Sequence, residues 1–182
     1  MKSLKIIILR LALLLVALPM LSQEVDDTAK LSYRAFSISP VGFYVGSDAG
    51  YAFNADIGFV YQGNIFALDF GAGSALSVFG PGDDYIQANI LYGRSFKLNK
   101  TIFTDVFIGA GYFHFNTYGV IDTSTRRRGE IDKKTLGFPL GAKLQFRLGP
   151  RYSMGVRIGT NINSAESIGT LGLLLQWNSK KD

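Results

Sequence analysis

Positions 136–148 read Leu-Gly-Phe-Pro-Leu-Gly-Ala-Lys-Leu-Gln-Phe-Arg-Leu. Each even position (Leu136, Phe138, Leu140, Ala142, Leu144, Phe146, Leu148) is apolar, and each odd one (Gly137, Pro139, Gly141, Lys143, Gln145, Arg147) is small or polar. Successive side chains of a strand point to opposite faces, so a period of two over 13 residues predicts a β-strand with one apolar face. A helix would scatter the same residues around its circumference. Strands of soluble domains usually run ~3–10 residues, so the length and the alternation together point to a strand that crosses a membrane.

The pattern recurs on both sides of this stretch. Further strands are predicted at 33–44, 49–61, 65–76, 85–97, 101–117, 152–163 and 168–178. In 49–61 the odd positions Tyr51, Phe53, Ala55, Ile57, Phe59 and Tyr61 oppose Ala52, Asn54, Asp56 and Gly58. The first strand puts Phe36, Ile38, Gly42 and Tyr44 opposite Ala35, Ser37, Ser39 and Val41, with Pro40 making it the least regular. In 101–117 the division is poorer, because Phe103, Phe107, Phe113 and Phe115 share the face of Asp105, Gly109 and Gly111. The connections run moderate, short, longer, short, longest (119–134), short, moderate. Alternate turns are therefore the tight ones, which predicts an antiparallel meander with one tight-turn end and one loop end.

Composition bounds the rest. The chain has 182 residues, 47% hydrophobic, 18% charged, with 21 glycines, no cysteine and a single histidine. That describes one domain short of the charge a soluble surface carries. Disulfides, thiolate metal sites and histidine-rich metal sites are excluded, and no cofactor motif is found. Residues 1–22 have the order of a secretory signal: Lys2 and Lys5, an apolar run interrupted by Arg10, then Pro19-Met20-Leu21-Ser22. A retained helical anchor is the alternative, but 11–18 is far short of the ~20 residues a spanning helix needs. Removing the three bases of that segment leaves 16 basic against 14 acidic residues, so the basic balance carries little weight for nucleic acid as a partner. The predicted organisation is signal peptide 1–22, polar leader 23–32, barrel 33–178 and polar tail 179–182.

Period two alone does not say which face is inside. A lipocalin-like secreted barrel would turn its apolar face inward around a ligand, a membrane barrel outward to lipid. The polar face is mostly Gly, Ser, Asn and Ala with isolated charges at Asp56, Asp69, Asp105, Lys143, Arg147 and Arg157. Small residues suit a narrow lumen, and three acids with three bases can neutralise one another there. Tyr61, Phe66, Phe96, Phe146, Tyr152 and Trp177 fall on the apolar face beside the tight turns or the C-terminus, as a periplasmic aromatic girdle requires. Tyr44, Tyr51 and Tyr112 would form its partner at the other end. Arg94 is pointed at lipid by parity, so it either snorkels to the interface or marks a bulge.

In this arrangement the chain resembles the small eight-stranded outer-membrane barrels of Gram-negative bacteria, of the OmpX and OmpA-barrel type. The final strand, Gly169-Thr170-Leu171-Gly172-Leu173-Leu174-Leu175-Gln176-Trp177, is similar to the C-terminal signal such proteins present to the barrel-assembly machinery, although five residues follow Trp177 here. The resemblance implies an all-β, up-and-down transmembrane barrel in the outer membrane, monomeric, with outer-membrane lipid and lipopolysaccharide as surroundings.

Chemistry is sparse. Outer-membrane lipid A deacylases carry a His-x-Ser pair, whereas this chain has His114-Phe115-Asn116, without the nucleophile. Gly71-Ala72-Gly73 and Gly109-Ala110-Gly111 open no helix and are not nucleotide loops. The sharpest exposed feature is Arg126-Arg127-Arg128, read either as a solvated loop or as a contact for anionic sugars and phosphates. The expected function is a non-enzymatic structural or surface-contact role, or at most a very narrow pore. The alternatives are a lipid-modifying enzyme and a secreted barrel binding an apolar ligand.

Overall fold

Eight alternating strands with no helix among the described residues to cover them leave two sheet edges unpaired unless the sheet closes on itself. It closes: in the computed structural model, which describes residues 30–76, 82–121 and 128–179, the strands form one antiparallel barrel in sequence order. They are β1 Ser32–Val45, β2 Ala49–Tyr61, β3 Asn64–Ala75, β4 Asp84–Lys97, β5 Ile102–Ile121, β6 Arg128–Arg147, β7 Tyr152–Asn163 and β8 Ile168–Asn178. β1 pairs with both β2 and β8, so every strand has two neighbours.

The face question is answered strand by strand. Phe36, Phe53, Leu68, Ile90, Ile108, Leu140, Ile158 and Leu173, one from each strand, are all exposed on the outside. The buried set inside the barrel is rich in polar and charged groups, including Asp56, Asp69, Asp105, Lys143, Asn89 and Gln176. Phe107, Phe113 and Phe115 are buried too, on the face of Asp105, so the poor division of β5 reflects a lumen that takes rings as well as charges.

Two sequence expectations change. The connection expected at 119–134 is largely strand, for β5 runs on to Ile121 and β6 starts at Arg128. β4 accompanies β5 only as far as Asn116, and β7 accompanies β6 only as far as Gly137. Beyond those residues β5 and β6 form a two-stranded ribbon that projects past the wall. A ribbon is held by backbone hydrogen bonds and needs no apolar face, so Ile131-Asp132-Lys133-Lys134, all exposed, carry no alternation to read. The first connection, 46–48, is also as short as the turns opposite, so the asymmetry of the ends rests on 76–83 and on the ribbon. At the tight end the two-residue turn Gln62-Gly63 has φ of 48° and 73°, the left-handed pair of a type I′ hairpin that glycine favours.

The second change is in β1, which carries two bulges. One extra residue lies between Tyr33 and Ala35 opposite Phe59-Gly58, and another between Ser39 and Gly42, where Pro40 has no N–H to give the ladder. The second bulge reverses the parity of the strand. Phe43 faces out and Tyr44 faces in, only 1% exposed, so Tyr44 does not belong to an outer girdle.

Candidate functional site

The lumen is the built part of the molecule, and it is layered. At mid-barrel Lys143 Nζ donates to Asp56 Oδ1 at 2.6 Å and to Ser37 Oγ at 3.0 Å. Arg157 spans two carboxylates, with Nη1 3.0 Å from Asp56 Oδ2 and Nη2 2.5 Å from Asp69 Oδ1. The second oxygen of Asp69 accepts from Asn89 Nδ2 at 2.9 Å. Asp56 and Asp69 face each other across β2 and β3, and Lys143 and Arg157 across β6 and β7, so strand register alone brings like charges into pairs. Two acids or two bases side by side would repel. Meeting across the lumen, each pair neutralises the other, which offsets the several kcal/mol that each buried ion costs.

Nearer the tight-turn end Asp105, fully buried, accepts from Gln145 Nε2 at 2.6 Å and from Arg34 Nη2 at 2.7 Å. Arg34 is the residue sequence reasoning missed. Its even position matches the outward-facing Phe36, and only the bulge beside it turns its side chain inward. Arg147, expected in this network, stands outside it: it is exposed, with its guanidinium carbon 4.4 Å from the centre of the Phe103 ring. The balance of three acids and three bases therefore holds with Arg34 in place of Arg147. Phe107 offers its ring to Lys143 Nζ at 5.3 Å, so two of the phenylalanines on the polar face lie against cations.

Above the ions sits an amide layer, in which Asn161 Nδ2 donates to Gln87 Oε1 at 2.8 Å. Beyond it Tyr44, Tyr85, Phe113 and Phe115 close the loop end, with ring centres 5.1 Å apart for Tyr44–Tyr85 and 5.8 Å for Tyr85–Phe113. Gly73 makes room for this plug, because a Cβ there would overlap the Tyr85 ring.

On the outside, Tyr61, Phe66, Phe96, Phe146, Tyr152 and Trp177 are all exposed at the tight-turn end. Tyr152 with Trp177 at 6.5 Å and Phe66 with Tyr92 at 5.5 Å pack edge to face, and Phe36 lies tilted against Trp177 at 6.0 Å. Tyr92 and Phe36 thus join that band. Arg94 sits at the same level and donates from Nε to Asn64 Oδ1 at 3.1 Å, with no bulge in its strand. At the other end the apolar surface stops at Tyr112 and Leu136. Next along the same face come His114, whose Nε2 lies 2.6 Å from Asp132 Oδ1, and Lys134, which donates to Asp132 Oδ2 at 2.7 Å. That hydrogen bond, with His114 acting the same way, holds the Asp132 carboxyl below its ordinary range, and Asp132 in turn raises Lys134. Arg128 opens β6 opposite Ile121, while Arg126 and Arg127 lie outside the described residues.

No family model and no curated protein matches the chain. Solved structures do. The chain is similar to Neisserial surface protein A, with a TM-score of 0.61 at 9% identity over 83% of this chain and 99% of that one. It is similar to the N-terminal β-barrel domain of Pseudomonas aeruginosa OprF, at 0.53 and 12% over 82% and 100%. It is also similar to Ail, the attachment invasion locus protein of Yersinia pestis, at 0.55 and 13% over 81% and 97%. A second structure of Ail, in complex with the heparin analogue sucrose octasulfate, matches at 0.51 and 15% over the same shares. With eight antiparallel strands closed in sequence order, the chain has the fold of the small outer-membrane barrels.

Proposed function

We propose that the chain is an integral outer-membrane barrel of a Gram-negative bacterium, exported through residues 1–22, non-enzymatic, and devoted to envelope structure and surface contact. The observation that carries this reading is the inverted polarity of the barrel: rings and aliphatic chains outside, six paired charges inside. Water would leave that outer surface unsatisfied in every direction, whereas lipid suits it. A soluble barrel for an apolar ligand needs the opposite arrangement. The ion network and the ring stack fill the lumen at two levels, which favours a structural role over conduction. Among the described residues no hydroxyl hydrogen-bonds to His114, which favours a non-enzymatic role over lipid modification.

Surface contact is supported by the projecting ribbon, whose far end leads into Arg126-Arg127-Arg128 and whose flank carries Lys133 and Lys134. Clustered guanidinium groups suit phosphates and sulfated or acidic sugars, and Ail, of the same fold, is known with a sulfated sugar. The girdle residues belong at the periplasmic interface and the His114–Asp132–Lys134 group at the outer one, with lipopolysaccharide and the barrel-assembly machinery as the partners of a monomer.

One experiment tests the reading in two stages. Protein purified from outer membranes in detergent is run on gels with and without boiling, then titrated with lipopolysaccharide beside the Arg126→Ser/Arg127→Ser/Arg128→Ser variant. A compact band that shifts only on boiling, and weaker binding by the variant, are expected. A monodisperse folded protein in plain buffer would overturn the membrane reading, and equal binding would remove the basic run from the surface role.

A further inference from the structure

The lumen's acids are accounted for without Arg147. Asp56 and Asp69 are held by Lys143 and Arg157, and Asp105 by Arg34. Arg147 makes no ion pair and no side-chain hydrogen bond among the described residues, and is fixed only by its stack on Phe103. It lines a cavity of about 670 Å³ at the tight-turn mouth together with Arg34, Phe103, Tyr33, Ile65 and Ser153. Arg34 spends a single nitrogen, Nη2, on Asp105 and Ser95, so its Nε and Nη1 are free of such bonds among the described residues. The mouth thus presents two guanidinium groups with N–H donors to spare, on walls that are partly aromatic and aliphatic.

We propose that this mouth is a carboxylate-binding vestibule for a short acidic peptide, with Arg147 as the principal docking group and Arg34 as the second. A planar guanidinium matches a carboxylate through two parallel hydrogen bonds, and a ring beneath it holds the plane without occupying its edge. The volume is that of a small-ligand site, far more than a bare inorganic anion fills. Tyr33 and Phe103 give the peptide's side chains apolar contact. Two sources can supply such a peptide. One is this chain itself, whose Glu24, Asp26 and Asp27 precede the wall residue Ser32 by only five to eight positions in sequence. A separate acidic peptide is the other source. The proposal requires the closed barrel alone, and stands apart from the membrane reading.

The test uses the full chain folded in detergent and a fluorescein-labelled Glu-Val-Asp-Asp-Thr peptide, read by anisotropy against its Gln-Val-Asn-Asn-Thr counterpart. Saturable binding of the acidic peptide only is expected, weakened about ten-fold by Arg147→Gln and partly restored by Arg147→Lys. The same titration on a Glu24→Gln/Asp26→Asn/Asp27→Asn chain separates the sources. Tighter binding assigns the site to the chain's own leader, and unchanged binding to a separate peptide; both support the vestibule. Arg147→Gln binding like the unaltered chain, or no saturable binding by either the unaltered or the leader-neutralised chain, would overturn it. Gel mobility before and after boiling confirms that each variant is folded.

Discussion

Between the vestibule at the tight-turn mouth and mid-barrel the lumen is crossed from wall to wall by ions and amides, beside a small apolar cluster of Ile65, Ala67, Leu91 and Phe107; toward the loop end it is filled by Tyr44, Tyr85, Phe113 and Phe115, which touch through ring faces and edges. Both halves join distant strands, but they fail differently. An ion pair is a paired commitment, because removing one member leaves the other charged, buried and unmatched. A stack of rings loses contact area in proportion to what is removed.

The sharpest way to break the comparison is Asp56→Ala. Asp56 accepts from both Lys143 and Arg157, so its loss leaves Lys143 with only the Ser37 hydroxyl, while Arg157 keeps Asp69. A loss of about 3–5 kcal/mol is expected from breaking such a pair, read as a fall in the urea midpoint of the detergent-folded barrel. Adding Lys143→Met to Asp56→Ala should recover much of it by removing the orphaned charge. If the double variant is as unstable as the sum of the two single ones, Asp56 and Lys143 are not an energetic unit and the contrast between the halves disappears.

In the aromatic half a polar deletion should act with the opposite sign. Tyr85 is 1% exposed and its hydroxyl has no hydrogen-bond partner among the described residues, whereas the Tyr44 hydroxyl donates to the Asp83 carbonyl at 3.3 Å. Tyr85→Phe keeps the stack on Phe113 and removes an unsatisfied buried group. It should be neutral or stabilising by up to about 1 kcal/mol, whereas Tyr44→Phe should be mildly destabilising. A clear loss of stability in Tyr85→Phe would mean that its hydroxyl is bonded and that this half is held by polar contacts as well.

What could be read from the sequence followed from how strictly a strand alternates. β2 and β7 alternate along most of their length and β8 keeps Leu171, Leu173, Leu175 and Trp177 on one face, and their observed bounds coincide with 49–61, 152–163 and 168–178. Asp56, Asp69, Lys143 and Arg157 could be placed on one face for the same reason, and Asp105 with them despite the poorer division of β5. Arg34 and Tyr44 could not, because each lies at or past a bulge in β1, and a single inserted residue reverses the parity of everything beyond it. Pro40 signalled an irregular strand but not which way the chain would resume. That Arg34 and not Arg147 completes the network, as the partner of Asp105, was invisible, since it depends on which strands meet across the lumen. The extra length of β5 and β6 was hidden for a different reason: Ile131-Asp132-Lys133-Lys134, all exposed, has no hydrophobic period to detect, and polar residues there look like a loop. His114 looked isolated because its neighbour Asp132 is brought to it only by the pairing of that ribbon.

The ribbon supplies the weakest perturbation, and it sharpens the contrast with the lumen. Asp132 and Lys134 are joined by a hydrogen bond as short as those inside, 2.7 Å, yet both are exposed. A carboxyl held below its ordinary range contributes stability that is present above that range and lost as pH falls through the depressed value. Solvent screening makes the contribution of such an exposed pair small. Asp132→Asn should therefore leave the urea midpoint unchanged at neutral pH, and acidification through the carboxylate range should affect the unaltered chain and the variant alike. Amide hydrogen exchange of residues 131–135 is where a difference should be sought, because the ribbon can open without opening the barrel. If Asp132→Asn lowered the midpoint as far as Asp56→Ala does, the projecting ribbon would have to be part of the cooperative fold, and burial would no longer account for why similarly short ion pairs in the lumen and on the ribbon differ in worth.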